Sequence, residues 1–294
     1  MKFFLDIAFG SNKINIEKKC KTILGRKITK TILENTGPKN LYVCNNKEDS
    51  LSLSIKAYNK LLKKNRNLKF DNLIYVTENN VRKYPGNSFL FASLCNLDEN
   101  INLIDVNSGC TGFVDALKIA DKLDKNSLIV CSETYSKNIK NFERNISTLF
   151  SDAASVFLYD KKKFKILKSL NIYKKNTYQL LSTKNNKLEM DGGKVFNFVR
   201  TVVRPSLTNY LKNIKSPIKT IFLHQASKVV LKYFDSYYSN KYHLPKNIEK
   251  RGNSVSATIP VLIYDNYKDF KNTVILCGFG VGLSLSIVTL KIKK

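Results

Sequence analysis

The stretch Ile101-Asn102-Leu103-Ile104-Asp105-Val106-Asn107-Ser108-Gly109-Cys110-Thr111-Gly112-Phe113 changes periodicity halfway along. Ile101, Leu103, Ile104 and Val106 read as a buried strand, whereas Phe113, Val114, Ala116, Leu117, Ala120 and Leu123 recur at three- and four-residue spacing, the pattern of a helix with one apolar face. Cys110 falls at the junction. Unpaired backbone N–H groups and the positive end of a helix dipole favour a thiolate there, so the position predicts a thiol with a pKa below the usual value of about 8.5. Free cysteine is also among the most buried residue types, and the junction alone leaves an inert core thiol open.

The same alternation of strand and helix continues outward. Leu73–Val76, Leu128–Cys131 and Ala154–Tyr159 read as strands of a first half. Ile221–Leu223, Val274–Cys277 and Leu285–Leu290 read as strands of a second, with a helix-forming stretch after His224. In each half the last two strands are separated by a polar or glycine turn. This predicts two similar α/β halves, 1–163 and 164–294, joined through the Lys-rich stretch 161–165, with mixed, mostly parallel sheets whose last strands return antiparallel. A site between the halves, with groups supplied by both, follows from that arrangement.

Composition narrows the partners. A chain of 294 residues with 43% hydrophobic residues is long enough for one large domain or two smaller ones. No apolar run is long enough to span a bilayer, and Phe3-Phe4-Leu5 is interrupted at once by Asp6, so a cytoplasmic protein is expected. The cysteines Cys20, Cys44, Cys95, Cys110, Cys131 and Cys277 form no Cys-x-x-Cys pair, which argues against zinc and against a disulfide framework. The net charge of +27 raises nucleic acid as a partner, but only seven basic residues are Arg and the lysines are spread along the whole chain. A Lys-biased surface, or attraction to an acidic protein, fits that spread better than base or phosphate recognition.

Only two histidines are present. His224 follows the apolar strand directly, at the C-terminal strand end where α/β sheets place ligands, whereas His243 lies in a turn-like segment beside Leu244-Pro245 and reads as surface. Gly252-Asn253-Ser254 ahead of an apolar helix reads, alone, as a turn and cap. Gly278-Phe279-Gly280-Val281-Gly282 allows close backbone approach to a substrate, as an oxyanion hole requires, and lacks the dinucleotide-binding spacing.

Taken in order, these segments resemble the β-ketoacyl-acyl-carrier-protein synthase III family of thiolase-like condensing enzymes. Asp105 to Phe113 resembles the nucleophile segment, Leu149-Phe150-Ser151-Asp152-Ala153-Ala154 a Phe-Gly-Asp-Gly-Ala strand entry, and Met190-Asp191-Gly192-Gly193-Lys194-Val195-Phe196 a Met-x-Gly-x-x-Val-Phe segment. His224-Gln225-Ala226 and Gly252-Asn253-Ser254 match the two other catalytic segments, and Gly278 to Gly282 the closing turn. The resemblance implies a thiolase-like fold with buried helices between the sheets. It also implies acyl transfer to Cys110, followed by decarboxylative condensation with a malonyl group on an acyl carrier protein. His224 and Asn253 then stabilise charge on the malonyl thioester oxygen, and backbone N–H groups of Cys110 and the Gly280 turn serve the acyl step.

As implied substrate-binding positions, Tyr84 falls where an aromatic residue reaches across a homodimer interface, Phe150 lines the acyl pocket, and Arg144 matches an Arg that holds coenzyme A. Met190, Gly192, Phe279 and Gly280 complete that set. No metal or resident cofactor is implied, and neither a membrane nor nucleic acid. The chain departs from the pattern in having no Trp, in carrying Thr31 and Asn35 where a Trp and an Arg sandwich an adenine, and in Ser227 replacing an Asn. An acyl donor on coenzyme A and one on a carrier protein therefore both stay open. A papain-like hydrolase shares the order Cys, His, Asn but not the local cysteine context. A thiolase-fold acyltransferase to an amine or hydroxyl, and a basic binding protein with a degenerate site, are the remaining alternatives.

Overall fold

The computed structural model describes residues 4–293. Met1 to Phe3 and Lys294 lie outside the described residues, and with them the first residue of the Phe3–Leu5 run and the outermost ends of the two expected halves. The first part of the chain runs β1 (Leu5–Phe9), β2 (Asn12–Asn15), α1 (Ile16–Asn35), β3 (Asn40–Val43), α2 (Ser50–Lys64), β4 (Asn72–Val76), α3 (Asn87–Leu94), β5 (Asn102–Val106), α4 (Gly112–Lys122), β6 (Ser127–Glu133) and β7 (Ala153–Tyr159). The second runs β8 (Phe164–Tyr173), β9 (Leu181–Lys184), β10 (Lys187–Met190), α5 (Gly192–Phe198), α6 (Arg204–Lys212), β11 (Ile221–Leu223), α7 (Lys228–Tyr238), α8 (Ile248–Arg251), α9 (Thr258–Asp265), β12 (Thr273–Gly280) and β13 (Ser284–Ile292).

Two sheets carry the architecture, in the orders β1-β7-β6-β4-β5 and β8-β13-β12-β11. Their first four strands correspond. β1/β7 and β7/β6 are antiparallel and β6/β4 parallel, just as β8/β13 and β13/β12 are antiparallel and β12/β11 parallel. Parallel pairing is thus less extensive than the alternation of strands and helices implies. It holds at β4/β5, β4/β6 and β11/β12. Elsewhere each half returns on itself without a helical crossover, and β1 and β8 extend that return as antiparallel neighbours.

The layers follow from period-2 alternation. In the first sheet Ile74, Val76, Ile129 and Cys131 face a central core, while Leu73, Tyr75, Leu128 and Val130 face α2 and α3. In the second, Val274, Leu276, Val288 and Leu290 face the same central core, while Ile275, Cys277, Phe279 and Ile287 pack under α6 and α7. α4 and α9 fill the space between the sheets, with Phe113, Val114, Leu117, Ile259, Leu262 and Ile263 fully buried. At roughly 1.5–3 kcal/mol for each large apolar side chain removed from water, this shared layer holds the two sheets together. The segments after β5, β11 and α8 meet at its edge.

Candidate active site

Cys110 sits on one 3₁₀ turn, Gly109–Thr111, between β5 and the first residue of α4. It is 5% exposed. The strand end of β12 presses against it: a Cβ built on Gly278 would stand 2.7 Å from the Cys110 carbonyl oxygen, and one on Gly280 2.7 Å from Sγ. Only glycine lets this backbone come so close, and Gly280 also has φ +155°. The backbone N–H groups of Val281 and Cys110 reach the thiol.

The expected low thiol pKa is not what the site produces. Burial pushes the Cys110 thiol well up, the Glu78 carboxylate adds to the rise, and the two N–H groups oppose it without prevailing. A start-of-helix field is present, but no cation is among the main influences on the thiol from the described residues, and removing a thiolate from water costs more than that field returns.

His224 ends β11. Its backbone N–H donates to the Cys277 carbonyl at 2.9 Å, which fixes the residue beside β12, and its ring meets Phe279 edge-on with centroids 5.5 Å apart. Burial pushes its pKa down to about 3, so the imidazole is neutral, and Nδ1 has no hydrogen-bond partner among the described residues. Asn253 is oriented by its own carbonyl. Oδ1 accepts from the Val255 backbone N–H at 2.9 Å and from the Thr258 hydroxyl at 3.2 Å, which leaves Nδ2 facing His224 Nε2 at 3.5 Å and the Ala226 carbonyl at 3.3 Å. The backbone of Asn253 is tied to the other half. Its N–H donates to Leu149 O at 2.9 Å, and its carbonyl accepts from Ser151 N–H at 2.8 Å.

A cavity of about 350 Å³ opens onto these three side chains. Phe150, Met190, Gly192, Phe279 and Gly280 line it together with Cys110, His224 and Asn253, and no charged side chain is among its lining residues. Asn35 and Ser227, two of the departures noted in the sequence, also border it. Two expected positions are not brought there by this chain alone: Arg144 is exposed on the surface beside the lining residue Asn145, and Tyr84 is 76% exposed on the segment leading into α3. Among the described residues no group of His, Cys, Asp or Glu is arranged to hold a metal ion, and no helix is long and apolar enough to cross a membrane.

Sequence reasoning missed a group of acids beside Cys110. Glu78 lies just beyond β4 and Glu133 ends β6, the strand next to it. Glu133 accepts from the Glu78 backbone N–H at 3.1 Å and from the Ser256 hydroxyl at 2.6 Å, while the Tyr135 phenol donates to the Glu78 carboxylate. Burial pushes both carboxyl pKa values up, most strongly that of Glu133, and the neighbouring Glu78 charge adds to the rise at Glu133. No local motif marks them. The signal available was their place at the C-terminal ends of adjacent parallel strands.

Comparison with known proteins identifies the family. Residues 104–173 match the family model described as 3-oxoacyl-[acyl-carrier-protein] synthase III, and residues 214–292 match the model of its C-terminal part. A β-ketoacyl-[acyl-carrier-protein] synthase III of Streptococcus agalactiae (strain NEM316) is 30% identical over 224 residues, 66% of this chain and 69% of that protein. One from Clostridium botulinum (strain Kyoto) is 26% identical over 267 residues, 77% of this chain and 79% of the relative. The crystal structure of the 3-oxoacyl-(acyl carrier protein) synthase III of Pseudomonas aeruginosa PAO1 shares the fold at a TM-score of 0.87 with 21% identity, covering 99% of this chain and 97% of that one. The fold is accordingly thiolase-like, and the chain belongs to the 3-oxoacyl-acyl-carrier-protein synthase III family.

Proposed function

We propose that the protein is an acyltransferase of the 3-oxoacyl-acyl-carrier-protein synthase type. It takes an acyl group onto Cys110 and joins it to the two carbons left when malonyl on an acyl carrier protein loses carbon dioxide. The observation that carries this reading is the pair of neutral nitrogens, His224 Nε2 and Asn253 Nδ2, 3.5 Å apart at the floor of an uncharged cavity that also holds Cys110.

In the first step the Cys110 thiol gives up its proton and attacks the acyl thioester. The backbone N–H groups at the thiol, those of Cys110 and the Gly280–Gly282 turn, are suited to the oxyanion that forms. The donor's C–S bond breaks and its sulfur takes the proton. In the second step the malonyl carboxylate leaves as neutral carbon dioxide. An apolar wall of Phe150 and Phe279 disfavours the charge that is lost, and donors from His224 and Asn253 hold the charge that appears on the thioester oxygen. The enolate carbon then attacks the acyl carbonyl and expels Cys110. A neutral imidazole suits this role because decarboxylation makes the carbanion without a strong base, and this sequence of steps draws on no resident cofactor.

Three further readings belong with this one. The net charge of +27 suits docking of an acidic carrier. Tyr84, Phe89 and Leu94 are apolar and more than half exposed around α3, and they suit a homodimer interface there. Six free cysteines suit the reducing cytoplasm.

The test is intact-mass spectrometry of the protein with a panel of acyl thioesters on coenzyme A and on carrier protein, followed by addition of malonyl carrier. The expected result is one acyl adduct at Cys110 that disappears as β-ketoacyl carrier is formed. No adduct with any donor overturns the proposal.

A further inference from the structure

Val255 holds a backbone conformation that its side chain opposes. The other non-glycine residues with left-handed backbone among the described residues are all asparagines, which tolerate it, whereas Val255 is β-branched, has φ +51° and is 1% exposed. A buried residue keeps such a conformation where its surroundings fix it from several sides. Val255 stands two residues after Asn253, and its N–H is the donor that reaches Asn253 Oδ1 at 2.9 Å. Backbone strain therefore sits on the residue that sets the direction of the Asn253 amide.

The turn is fixed on both sides of Val255. Before it, the Asn253 main chain is bonded to Leu149 and Ser151, and the Ser254 N–H donates to the Thr258 hydroxyl at 3.1 Å. After it, the Ser256 hydroxyl donates to Glu133 Oε1 at 2.6 Å, and both residues are buried. Glu133 is anchored in its turn. It ends β6 in the first half, and its Oε2 accepts from the Glu78 N–H at 3.1 Å. If Val255 returned to negative φ, the chain would leave it in a different direction, and the Ser256 hydroxyl could not stay on Glu133 while Asn253 stayed on Leu149 and Ser151. Loss of the Ser256 bond frees Val255 to relax, and its N–H then leaves Oδ1. The Thr258 hydroxyl, 3.2 Å away, is the one donor from the described residues that remains on Oδ1, and a single bond does not fix the plane of an amide.

We propose that Ser256, anchored on Glu133, is a positioning residue for the condensing step: its hydrogen bond across the two halves holds Val255 left-handed and so aims Asn253 Nδ2 into the Cys110 cavity. The inference rests on the role given to Asn253 above and deepens it by assigning the residues that keep that amide in place. Neither Ser256 nor Glu133 makes or breaks a bond to the substrate.

The test uses the full chain and reads two rates in one sample: acylation of Cys110 by an acyl thioester, and condensation of that adduct with malonyl carrier. A loss of folded protein lowers both alike and leaves their ratio unmoved. Ser256→Ala is expected to lower the ratio of condensation to acylation about tenfold, less than the roughly 10²- to 10³-fold that follows outright loss of an oxyanion donor. Adding Val255→Gly should bring the ratio back to within about threefold of wild type, because glycine takes the left-handed conformation without a clamp. Ser256→Ala paired with Glu133→Gln leaves no buried carboxylate short of its donor, and gives the same reading if the single change leaves the chain unfolded. An unchanged ratio overturns the proposal. So does a lowered ratio that Val255→Gly fails to restore, since packing lost at Ser256 would not be mended by removing a second side chain. Normal acylation and condensation in these variants remove this inference alone, whereas no adduct in the wild type removes the acylation reading and this inference with it.

Discussion

The two halves share one strand pattern and finish it differently. β4 and β11 occupy corresponding places, paired in parallel with β6 and β12, with Val76 opposite Cys131 in one sheet and Leu223 opposite Cys277 in the other. The residues that follow are Thr77-Glu78 in the first half and His224-Gln225 in the second. The neighbouring strand ends in Glu133 in the first half and Gly280 in the second. Cys110 comes from neither member of this matched pair. It follows β5, the strand with no counterpart in the second sheet. A repeated frame therefore presents two unlike walls to a single thiol. One is neutral and suited to losing a charge; the other carries the hydrogen-bonded carboxyls of Glu78 and Glu133.

Replacing the shared point should have the largest effect. Cys110→Ala is expected to abolish the acyl adduct and to lower condensation by several orders of magnitude; an adduct that survived would place the nucleophile elsewhere. Next come the neutral-wall variants. His224→Ala or Asn253→Ala should slow condensation about 10²- to 10³-fold, the usual cost of one oxyanion donor, while acyl-Cys110 still accumulates. Equal loss of both steps, measured by quench-flow with mass detection, would show that the two walls do not divide the work.

A smaller change sharpens the acidic side. Because the Glu78 carboxylate raises the Cys110 pKa, Glu78→Gln should move the pH profile of Cys110 alkylation by iodoacetamide to lower pH. A profile that stays in place would uncouple Glu78 from the thiol. The smallest expected effect concerns stability. His224 is held at about 3 in the fold against about 6.5 when unfolded, so the unfolded chain binds the extra proton between those values. The contribution of the neutral ring is complete above pH 6.5 and is lost on going down towards pH 3, by at most about 1.4 kcal/mol per pH unit. Denaturant titrations at pH 7 and pH 5 should therefore show the gap between wild type and His224→Asn narrowing at the lower pH; a constant gap would mean that the ring is not buried neutral.

Much of this was legible before any coordinates. The junction at Cys110, the strand before His224 and the Gly278–Gly282 turn are local patterns, and local patterns fix local structure. β8 was overlooked although its alternating burial is regular, because its outward positions include Lys165, Ser169, Asn171 and Tyr173 and its start falls in the Lys-rich stretch 161–165, so the segment reads as a linker. The thiol's raised pKa was not legible for a different reason. It depends on Glu78, 32 positions away in sequence, and on burial under Gly280 from the opposite half, and neither leaves a mark near Cys110. Glu78 itself stands in the polar run Thr77-Glu78-Asn79-Asn80, which is indistinguishable from a surface loop until β4 is known to lie beside β5.

Asn253 is held by its main chain to Leu149 and Ser151, across the seam between the halves. The backbone amide of a residue read as catalytic thus belongs to a clasp, and breathing of either half must reach it. Its hydrogen should exchange with solvent only when the whole seam opens, and a protease admitted there would find the chemistry already dismantled. Loosening those two bonds would release the seam and the placement of Asn253 together.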